Sequence, residues 1–365
     1  MSQDLPVTRT TLPPFDEYVE RLRGIWERGH ITNHGPLVLE LEARLREKLG
    51  VRHLFFVSNG TLALQIALRA LELNGEIITT PFSYVATTSS LVWERCTPVF
   101  ADIERDSLTI SPERVAQAIT PRTTAVLATH VYGNPCRVDA LAALCRERGL
   151  KLVYDAAHAF GVSVDGRPIA GFGDISTFSF HATKLFHTVE GGAVATNDDA
   201  LAHRISYLRN FGHNGQEAFF GLGINGKNCE LHAAMGLCLL PRIDALIAER
   251  RALHAEYDRR LLANTQLLRK PGPTPGAALN FAYYPVLFRD EVSLLRARTQ
   301  LNAAGISPRR YFFPPLSQLP YVSRGDSAVA EEISPRVLCL PLFSGLSVDD
   351  IARVSDTLLL SLGAA

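Results

Sequence analysis

From Ser58 onward, short apolar segments rich in β-branched residues alternate with longer segments that have the periodicity of amphipathic helices. Alternation at this spacing favours an α/β fold, because parallel strands need helical crossovers and those helices cover both faces of the sheet. The predicted strands are residues 76–80, 98–102, 123–129, 150–155, 175–180 and 192–196. The predicted helices are residues 60–71, 139–149, 198–210 and 231–246, with another that begins at residues 111–113.

Two further regions flank this alternation. Before it, amphipathic patterns predict helices over Phe15–Arg28 and Pro36–Leu49, joined by a polar turn. After it, a segment rich in Pro and Gly separates the alternation from another set of strand and helix patterns. These later patterns cover residues 283–288, 292–305, 337–342 and 348–362. We therefore predict a large domain at residues 1–246, which includes the N-terminal helices, and a small α+β domain at residues 247–365.

The charge balance limits the classes of partner that the chain is expected to bind. Lys and Arg together number 37, as do Asp and Glu, so the formal net charge is zero. A neutral chain gives no electrostatic reason to expect nucleic acid or an anionic membrane as a partner. Residues 1–14 lack the pattern of a signal peptide, and no apolar stretch approaches the roughly 18 residues of a membrane span.

The six cysteines are scattered, and none forms a CxxC pair. This pattern favours free structural thiols in a reducing compartment over a disulfide framework or a zinc site. We therefore expect a cytoplasmic protein without a bound metal.

Lys184 lies between two predicted strands, in a loop rich in hydroxyl and imidazole side chains that ends in Gly191-Gly192. A lysine in a loop is ordinarily a solvated charge. It can instead bind a carbonyl carbon as a Schiff base if burial or nearby cations lower its pKa, because only the free amine attacks.

Asp155 closes a predicted apolar strand and is followed by small residues. Ligands of open α/β sheets bind at the carboxyl ends of the strands, so this carboxylate is expected to face a ligand. Taken alone, it could equally be a helix cap. Taken with Lys184, it suits a second role, because a carboxylate that faces a pyridine nitrogen keeps that nitrogen protonated.

Asn59, Gly60 and Thr61 begin the first helix of the alternating region. Backbone N–H groups at a helix N-terminus bind anions, and glycine lets a phosphate approach the main chain closely. The plain alternative is a capped helix without a ligand. Ser179, just before the Lys184 loop, could donate a hydroxyl group to the same phosphate. No GxGxxG motif follows the first strand, which argues against a dinucleotide-binding fold.

Together these segments resemble the DegT/DnrJ/EryC1/StrS family of sugar aminotransferases, over residues 6–342. The most specific stretches are DAAHAFG at residues 155–161, GD at 173–174 and the segment 179–192. The sequence GINGKNCE at residues 223–230 is similar to the family's Gly-x-Asn-x-Arg segment, with Lys227 where arginine is usual. The resemblance implies an enzyme of the aspartate-aminotransferase fold (fold type I) that uses pyridoxal 5′-phosphate (PLP).

The resemblance also implies a role for each matching position. Lys184 would carry PLP as a Schiff base and move a proton between the cofactor and the sugar carbon. Asp155 would pair with the pyridine nitrogen. His158 stands where the family often has glutamine, and it would lie near the phenolic oxygen of the cofactor.

Further positions would hold the rest of the cofactor. Gly60, Thr61 and Ser179 would bind the phosphate, and the ring of Tyr84 would stack on the cofactor. Asn225 would reach the phosphate bound by a neighbouring subunit, which implies a homodimer with shared active sites.

Within the family, residues 6–8, 12–14, 31–36 and the segment 180–192 resemble the dTDP-4-amino-4,6-dideoxyglucose transaminases. That subgroup aminates dTDP-4-keto-6-deoxyglucose with glutamate as the amino donor. The segment 309–314, which begins with Arg309, would supply contacts to the nucleotide or the sugar, although its arginines could equally be surface charges. The expected substrate-binding residues are Lys227, Arg310 and Tyr311.

Three rival functions stay open on the sequence alone. Related enzymes dehydrate a nucleotide sugar at C3, but they have histidine in place of the lysine. A second rival aminates a 3-keto sugar, and a third is a non-catalytic, sugar-sensing regulator. The nucleotide, the stereochemistry of the product and the pathway are also open, with O-antigen, other glycans and antibiotic sugars as candidates.

Overall fold

The computed structural model describes residues 4–262, 268–325 and 327–363, and within them seven strands form one large sheet. Neighbouring strands in it are parallel, except that the strand Gly192–Thr196 is antiparallel to both of its neighbours. The mostly parallel sheet predicted from the sequence is therefore confirmed. In spatial order the strands are β2 (His53–Val57), β10 (Gly192–Thr196), β9 (Ile175–Ser179), β6 (Lys151–Asp155), β5 (Thr123–Thr129), β3 (Glu76–Thr79) and β4 (Thr97–Phe100).

Helices connect and cover these strands. Three of them end at glycines with positive φ, Gly29 (64°), Gly50 (62°) and Gly149 (66°), a left-handed conformation that glycine adopts more readily than residues with a Cβ atom. The helices up to residue 261 are α1 (Phe15–Arg28), α2 (Pro36–Leu49), α3 (Gly60–Ala70), α4 (Val85–Trp93), α5 (Pro112–Ala118), α6 (Val138–Arg148), α7 (Asp199–Leu208), α8 (Glu230–Leu239) and α9 (Ile243–Leu261).

One strand and one helix of this part of the structure were not predicted from the sequence. The strand β2 precedes the region in which the alternation was recognised, and α4 has the sequence VATTSSLVW. Its β-branched and hydroxyl side chains have low helix propensity and give no amphipathic pattern. The helix forms against α3 in the folded protein, where Thr87, Thr88, Ser90 and Leu91 are buried.

The predicted helix 231–246 is divided in the structure. The helices α8 and α9 are joined by a 3₁₀ turn at Leu240–Arg242, where Pro241 has no N–H group to donate.

The helical run Glu230–Leu261 is long and apolar enough by composition to cross a membrane, and half of its most apolar 18-residue window is buried inside the protein. We predicted no such stretch from the sequence. Core helices of globular proteins have the same length and composition, so the run is weak evidence for a membrane segment.

A smaller antiparallel sheet has β13 (Tyr284–Phe288) between β11 (Leu268–Arg269) and β15 (Val337–Leu340). A second hydrophobic cluster forms between this sheet, α9 and the later helices. The remaining elements of this part are α10 (Glu291–Ala303), β14 (Ile306–Ser307), α11 (Ala328–Ile333) and α12 (Val348–Ser361).

The predicted domain boundary at residues 246 and 247 lies inside α9 and stays a prediction. Two strand pairs cross it, since β1 (Leu5–Pro6) pairs with β14 and β7 (Ser163–Val164) pairs with β12 (Ala277–Ala278). The strand β7 also pairs with β8 (Arg167–Pro168). Residues 1–3 and 364–365 of the predicted domains lie outside the described residues.

All six cysteines are free thiols, and five of them are buried. Only Cys229 is partly exposed. Within residues 4–262, 268–325 and 327–363, no group of three or more His, Cys, Asp or Glu side chains is placed to hold a metal ion.

Candidate active site

A cavity of about 320 Å³, here called the inner cavity, opens at the carboxyl ends of β5, β6 and β9. The register of the sheet places Thr129, Asp155 and Thr177 side by side at these ends, and all three line the cavity. The loop after β2 contributes the N-terminus of α3, because β2 runs in the same direction as β9. This edge of the sheet is where α/β folds bind their ligands.

Asp155 is buried in the wall of the inner cavity. Thr87 Oγ1 donates to its Oδ2 at 2.7 Å, and the Ala157 N–H group donates to its Oδ1 at 3.1 Å. Burial raises the pKa of this carboxyl group, while these two hydrogen bonds and the charge of Lys184 oppose the shift. The contacts on both oxygens therefore favour the charged form of Asp155.

Lys184 lies in the loop between β9 and β10 and lines the same cavity. Its backbone N–H group donates to the His181 carbonyl oxygen at 2.8 Å, which closes a tight turn around the lysine. Burial lowers the pKa of Lys184 to about 8, and the attraction of Asp155 opposes this shift. The fraction of free amine near neutral pH is therefore far larger than for a lysine in water, as a nucleophile that attacks carbonyl carbon requires.

The N-terminus of α3 forms the third side of the inner cavity. Asn59 caps this helix by accepting the Leu62 N–H group at 2.8 Å, and Gly60 and Thr61 occupy the first positions of the helix. A Cβ atom at Gly60 would lie 2.8 Å from the Cβ atom of Ser179, so only glycine fits this approach between the two loops. N–H groups at a helix start have no partner within the helix, so this wall is suited to bind an anion.

His158 is buried at the base of the inner cavity between aromatic rings. Its ring stacks on Phe312, with the centroids 5.7 Å apart and the planes at 4°, and meets the edge of Tyr283 at 4.8 Å. The Tyr132 N–H group donates to His158 Nδ1 at 3.3 Å. Burial and the charge of Lys184 lower the pKa of His158 well below its usual value, so the ring is neutral at pH 7.

Two predicted tyrosines lie at the rim of the inner cavity. Tyr84 precedes α4 and is 57% exposed, so its ring is free to cover a ligand. Tyr311 lines the opposite part of the rim beside Phe312. Among the predicted residues, the inner cavity therefore brings together Gly60, Thr61, Tyr84, Asp155, His158, Ser179, Lys184 and Tyr311.

The other three predicted residues do not line this cavity. Asn225 is exposed, and its Oδ1 accepts a hydrogen bond from Lys227 Nζ at 2.9 Å. The Lys227 ammonium group also lies 4.5 Å from the centroid of the Phe211 ring. Arg310 points elsewhere, because its guanidinium group donates to Glu291 at 2.6 Å and to the Pro335 carbonyl oxygen at 3.0 Å. The roles predicted for these three side chains stay predictions.

Several residues of the cavity wall were not identified from the sequence. Thr87 does not line the cavity itself, but it connects two residues that do, because its Oγ1 donates to Asp155 and lies 2.8 Å from Ser83 Oγ. No sequence signal marked either hydroxyl, since α4 itself was not predicted. The other unpredicted lining residues include Thr129, Thr177, His181, Glu190, Tyr283 and Phe312.

Comparisons with known proteins found similar sequences over most of the chain. The model of the DegT/DnrJ/EryC1/StrS aminotransferase family matches residues 15–359. A dTDP-4-amino-4,6-dideoxy-D-glucose transaminase of Shigella dysenteriae is 39% identical over 98% of this chain and 99% of its own length. A protein of the same name from Escherichia coli is 37% identical over 97% of this chain and 98% of its own length.

Among solved structures, DesI in the presence of its TDP-sugar product superposes with a TM-score of 0.94. It is 38% identical, and the match covers 100% of this chain and 95% of that one. The two chains therefore share one fold over the whole length of this chain.

The lowered pKa of Lys184 predicts a pH-dependent reactivity. In the cofactor-free protein, the rate of reductive methylation of Lys184 by formaldehyde should rise as the pH increases through about 8, because the free amine replaces the ammonium ion. Asp155→Asn removes an attraction that raises this pKa, so the midpoint should move to lower pH. Peptide mass spectrometry would follow the rate, with Asp139→Asn on the surface as the control. An identical midpoint in Asp155→Asn would contradict the electrostatic coupling.

The hydrogen bond from Thr87 predicts a second effect. Thr87→Val keeps the shape of the side chain and removes a donor to a buried carboxylate, so the pKa of Asp155 should rise. The acid limb of the pH–rate profile should then move to higher pH, and kcat at neutral pH should fall about 10-fold or more. Thr88→Val is the matched control, since the adjacent Thr88 hydroxyl is buried without a hydrogen-bond partner among the described residues. Equal profiles for the two variants would refute the proposed role of Thr87.

Proposed function

The chain belongs to the DegT/DnrJ/EryC1/StrS aminotransferase family, and on that premise we propose that it moves an amino group from glutamate to dTDP-4-keto-6-deoxyglucose with PLP as cofactor. The protein is thus an enzyme, an aminotransferase of nucleotide sugars. The observation that carries the proposal is that a buried carboxylate, an amine of lowered pKa and a helix N-terminus face one cavity. The names of the relatives support the choice of sugar.

The residues present fit PLP. The cofactor has an aldehyde, a pyridine nitrogen and a phosphate, and the inner cavity offers one chemically matched group for each. Lys184 Nζ suits the aldehyde, Asp155 suits a protonated pyridine nitrogen, and the N-terminus of α3 suits the phosphate. Gly60 and Ser179 approach so closely that a Cβ atom at Gly60 would clash with Ser179. The backbone of Gly60 and the hydroxyl of Ser179 could therefore bind the same phosphate.

Bound PLP supplies an electron sink and carries the amino group between the two substrates. The residues of the chain do the rest. Asp155 keeps its charge through Thr87 and Ala157, and so stabilises a proton on the pyridine nitrogen. In the resting enzyme, Lys184 Nζ would hold the cofactor. When the Lys184 amine is free, it would take up and return a proton at the same end of the cavity. Both tasks need an amine that is readily deprotonated, and burial provides this.

The rim and the base of the cavity orient the ligand. Tyr84, which is exposed, would stack on the cofactor ring. The neutral ring of His158, fixed by Phe312 and the Tyr132 N–H group, would face the phenolic oxygen. A cofactor ring held between these side chains would keep the substrate bond that is to be broken aligned with the π system of the ring. Positioning of this kind lowers a barrier by several kcal/mol.

We propose that two copies of the chain share their active sites. Asn225 lies outside the inner cavity of its own chain and is exposed, as a residue that serves a partner subunit must be. The same exposed segment carries the large apolar side chains Phe219, Phe220 and Leu222, at 63%, 51% and 73% exposure. A second copy of the chain would remove these side chains from water.

Two half-reactions test the proposed function. The absorption spectrum of the PLP-loaded protein should change on addition of glutamate and return on addition of dTDP-4-keto-6-deoxyglucose. NMR of the product should then show an amino group at C4. Lys184→Ala should abolish both changes while the fold persists by circular dichroism, and Lys151→Ala on the surface should leave them intact. Amination at C3 of a 3-keto sugar would favour the rival function, and failure to bind PLP would contradict the proposal.

Mixing two inactive variants tests the shared site. If Asn225 serves the partner, Lys184→Ala and Asn225→Ala each disable every site of their own homodimers. In a mixed dimer one site receives both native residues, so subunit exchange should restore about a quarter of the wild-type activity. The activity is measured after unfolding and refolding the variants together, and each variant refolded alone is the control. No recovery, with mixed dimers demonstrated by mass spectrometry, would show that the two residues act within one chain.

A further inference from the structure

Two titratable side chains at the mouth of the inner cavity have no role assigned so far. His181 precedes Lys184 by three residues and Glu190 follows it by six, and both side chains line the cavity. About half of each side chain is exposed, 46% for His181 and 54% for Glu190. Each therefore contacts both the cavity and the solvent.

These two side chains form a pair beside the lysine. His181 Nε2 lies 3.6 Å from Glu190 Oε1. On the other side of the ring, Nδ1 lies 2.8 Å from Thr183 Oγ1 and accepts the Thr183 N–H group at 3.3 Å. Because a backbone N–H group can only donate, the proton of the neutral ring lies on Nε2, the nitrogen that faces Glu190. The imidazole is thus oriented from both sides, as an acid–base catalyst requires.

The backbone holds both members of the pair in place. The Lys184 N–H group donates to the His181 carbonyl oxygen at 2.8 Å. The Glu190 carbonyl oxygen accepts from Thr188 Oγ1 at 2.8 Å and from Asn228 Nδ2 at 3.2 Å. Both residues are anchored through main-chain atoms, so their side chains stay available at the cavity mouth.

The other ionisable groups of the cavity are less suited to exchange protons with solvent. Asp155 is buried and accepts hydrogen bonds on both oxygens, and burial lowers the pKa of His158 well below its usual value. Among the described residues that line the cavity, His181 has the only remaining imidazole or amine besides Lys184. Imidazole is also the side chain that ordinarily changes charge near neutral pH.

Amino transfer to a ketone needs an acid at the oxygen as well as a base at the carbon. When the keto carbon takes up the amino group that glutamate supplied, a C–N bond forms, the C–O bonds break, and the oxygen leaves as water. The nitrogen releases two protons and the oxygen takes up two, so the step balances without a redox partner. Hydroxide is a poor leaving group, so the oxygen must be protonated as it departs. Release of 2-oxoglutarate is the same exchange in reverse.

We propose that His181, paired with Glu190, is a second acid–base catalyst that carries a proton between the nitrogen and the oxygen at the carbonyl carbon. This inference rests on the proposed function and adds a division of labour to it. Lys184 moves the proton at carbon, and His181 moves the proton at oxygen. General acid–base catalysis of this kind accelerates a step about 10²- to 10⁴-fold.

Deuterium exchange separates the two catalysts. In heavy water, the PLP-loaded wild type should both exchange the α-hydrogen of glutamate, which is the step of Lys184, and release 2-oxoglutarate. His181→Gln should keep the exchange rate, measured by mass spectrometry of glutamate, and release 2-oxoglutarate about 100-fold more slowly. Glu190→Gln should slow the same release by a smaller factor, and Lys184→Ala should abolish both steps. The Kd of PLP, from a fluorescence titration, should be the same in His181→Gln as in the wild type.

His53→Gln is the matched control, because His53 pairs with the Asp199 carboxylate at 2.7 Å and does not line the cavity. Unchanged release in His181→Gln, or exchange and release slowed by equal factors, would overturn the assignment. A higher Kd of PLP would show that His181 binds the cofactor instead. These measurements need no sugar, so they decide the role of His181 even if the wild type ignores dTDP-4-keto-6-deoxyglucose, a result that would refute only the proposed substrate.

Discussion

The buried carboxylate of Asp155 is the constraint on which the site depends. A charge at the end of a central strand, inside a sheet covered by helices, is costly unless donors and cations surround it. Thr87, the Ala157 N–H group and Lys184 provide that environment. The helix α4 therefore has a role beyond covering the sheet, because it delivers the hydroxyl that stabilises this charge.

The same burial sets the reactivity of Lys184. Removal from water disfavours its charged form, and the nearby carboxylate limits that effect, so the amine titrates near pH 8 rather than far below it. His158 responds to the same surroundings by becoming neutral. Burial in the same region thus has a different effect on each of three side chains. Asp155 keeps its charge through its contacts, Lys184 loses its proton more easily, and His158 is neutral.

Two parts of the chain build the inner cavity. The strand ends and the start of α3 form its walls, and the loop after β14 contributes Tyr311 and Phe312. Tyr84 and Tyr311 lie at its rim. The two tyrosines come from the loops after β3 and β14, which are far apart in the sequence, so only the folded chain brings them to one rim.

The sequence by itself determined the fold class, the family, and the residues Lys184 and Asp155 with their neighbours. Strand and helix patterns are local, and the motifs around these two residues are contiguous in the chain, so a single sequence contains both signals. It did not reveal α4, β2 or the hydroxyl of Thr87, because β-branched and polar residues form a helix there only through packing against α3. It also did not show that Arg310 is paired. Its partner Glu291 is 19 residues away along the chain, and only the tertiary structure brings that carboxylate to the guanidinium group.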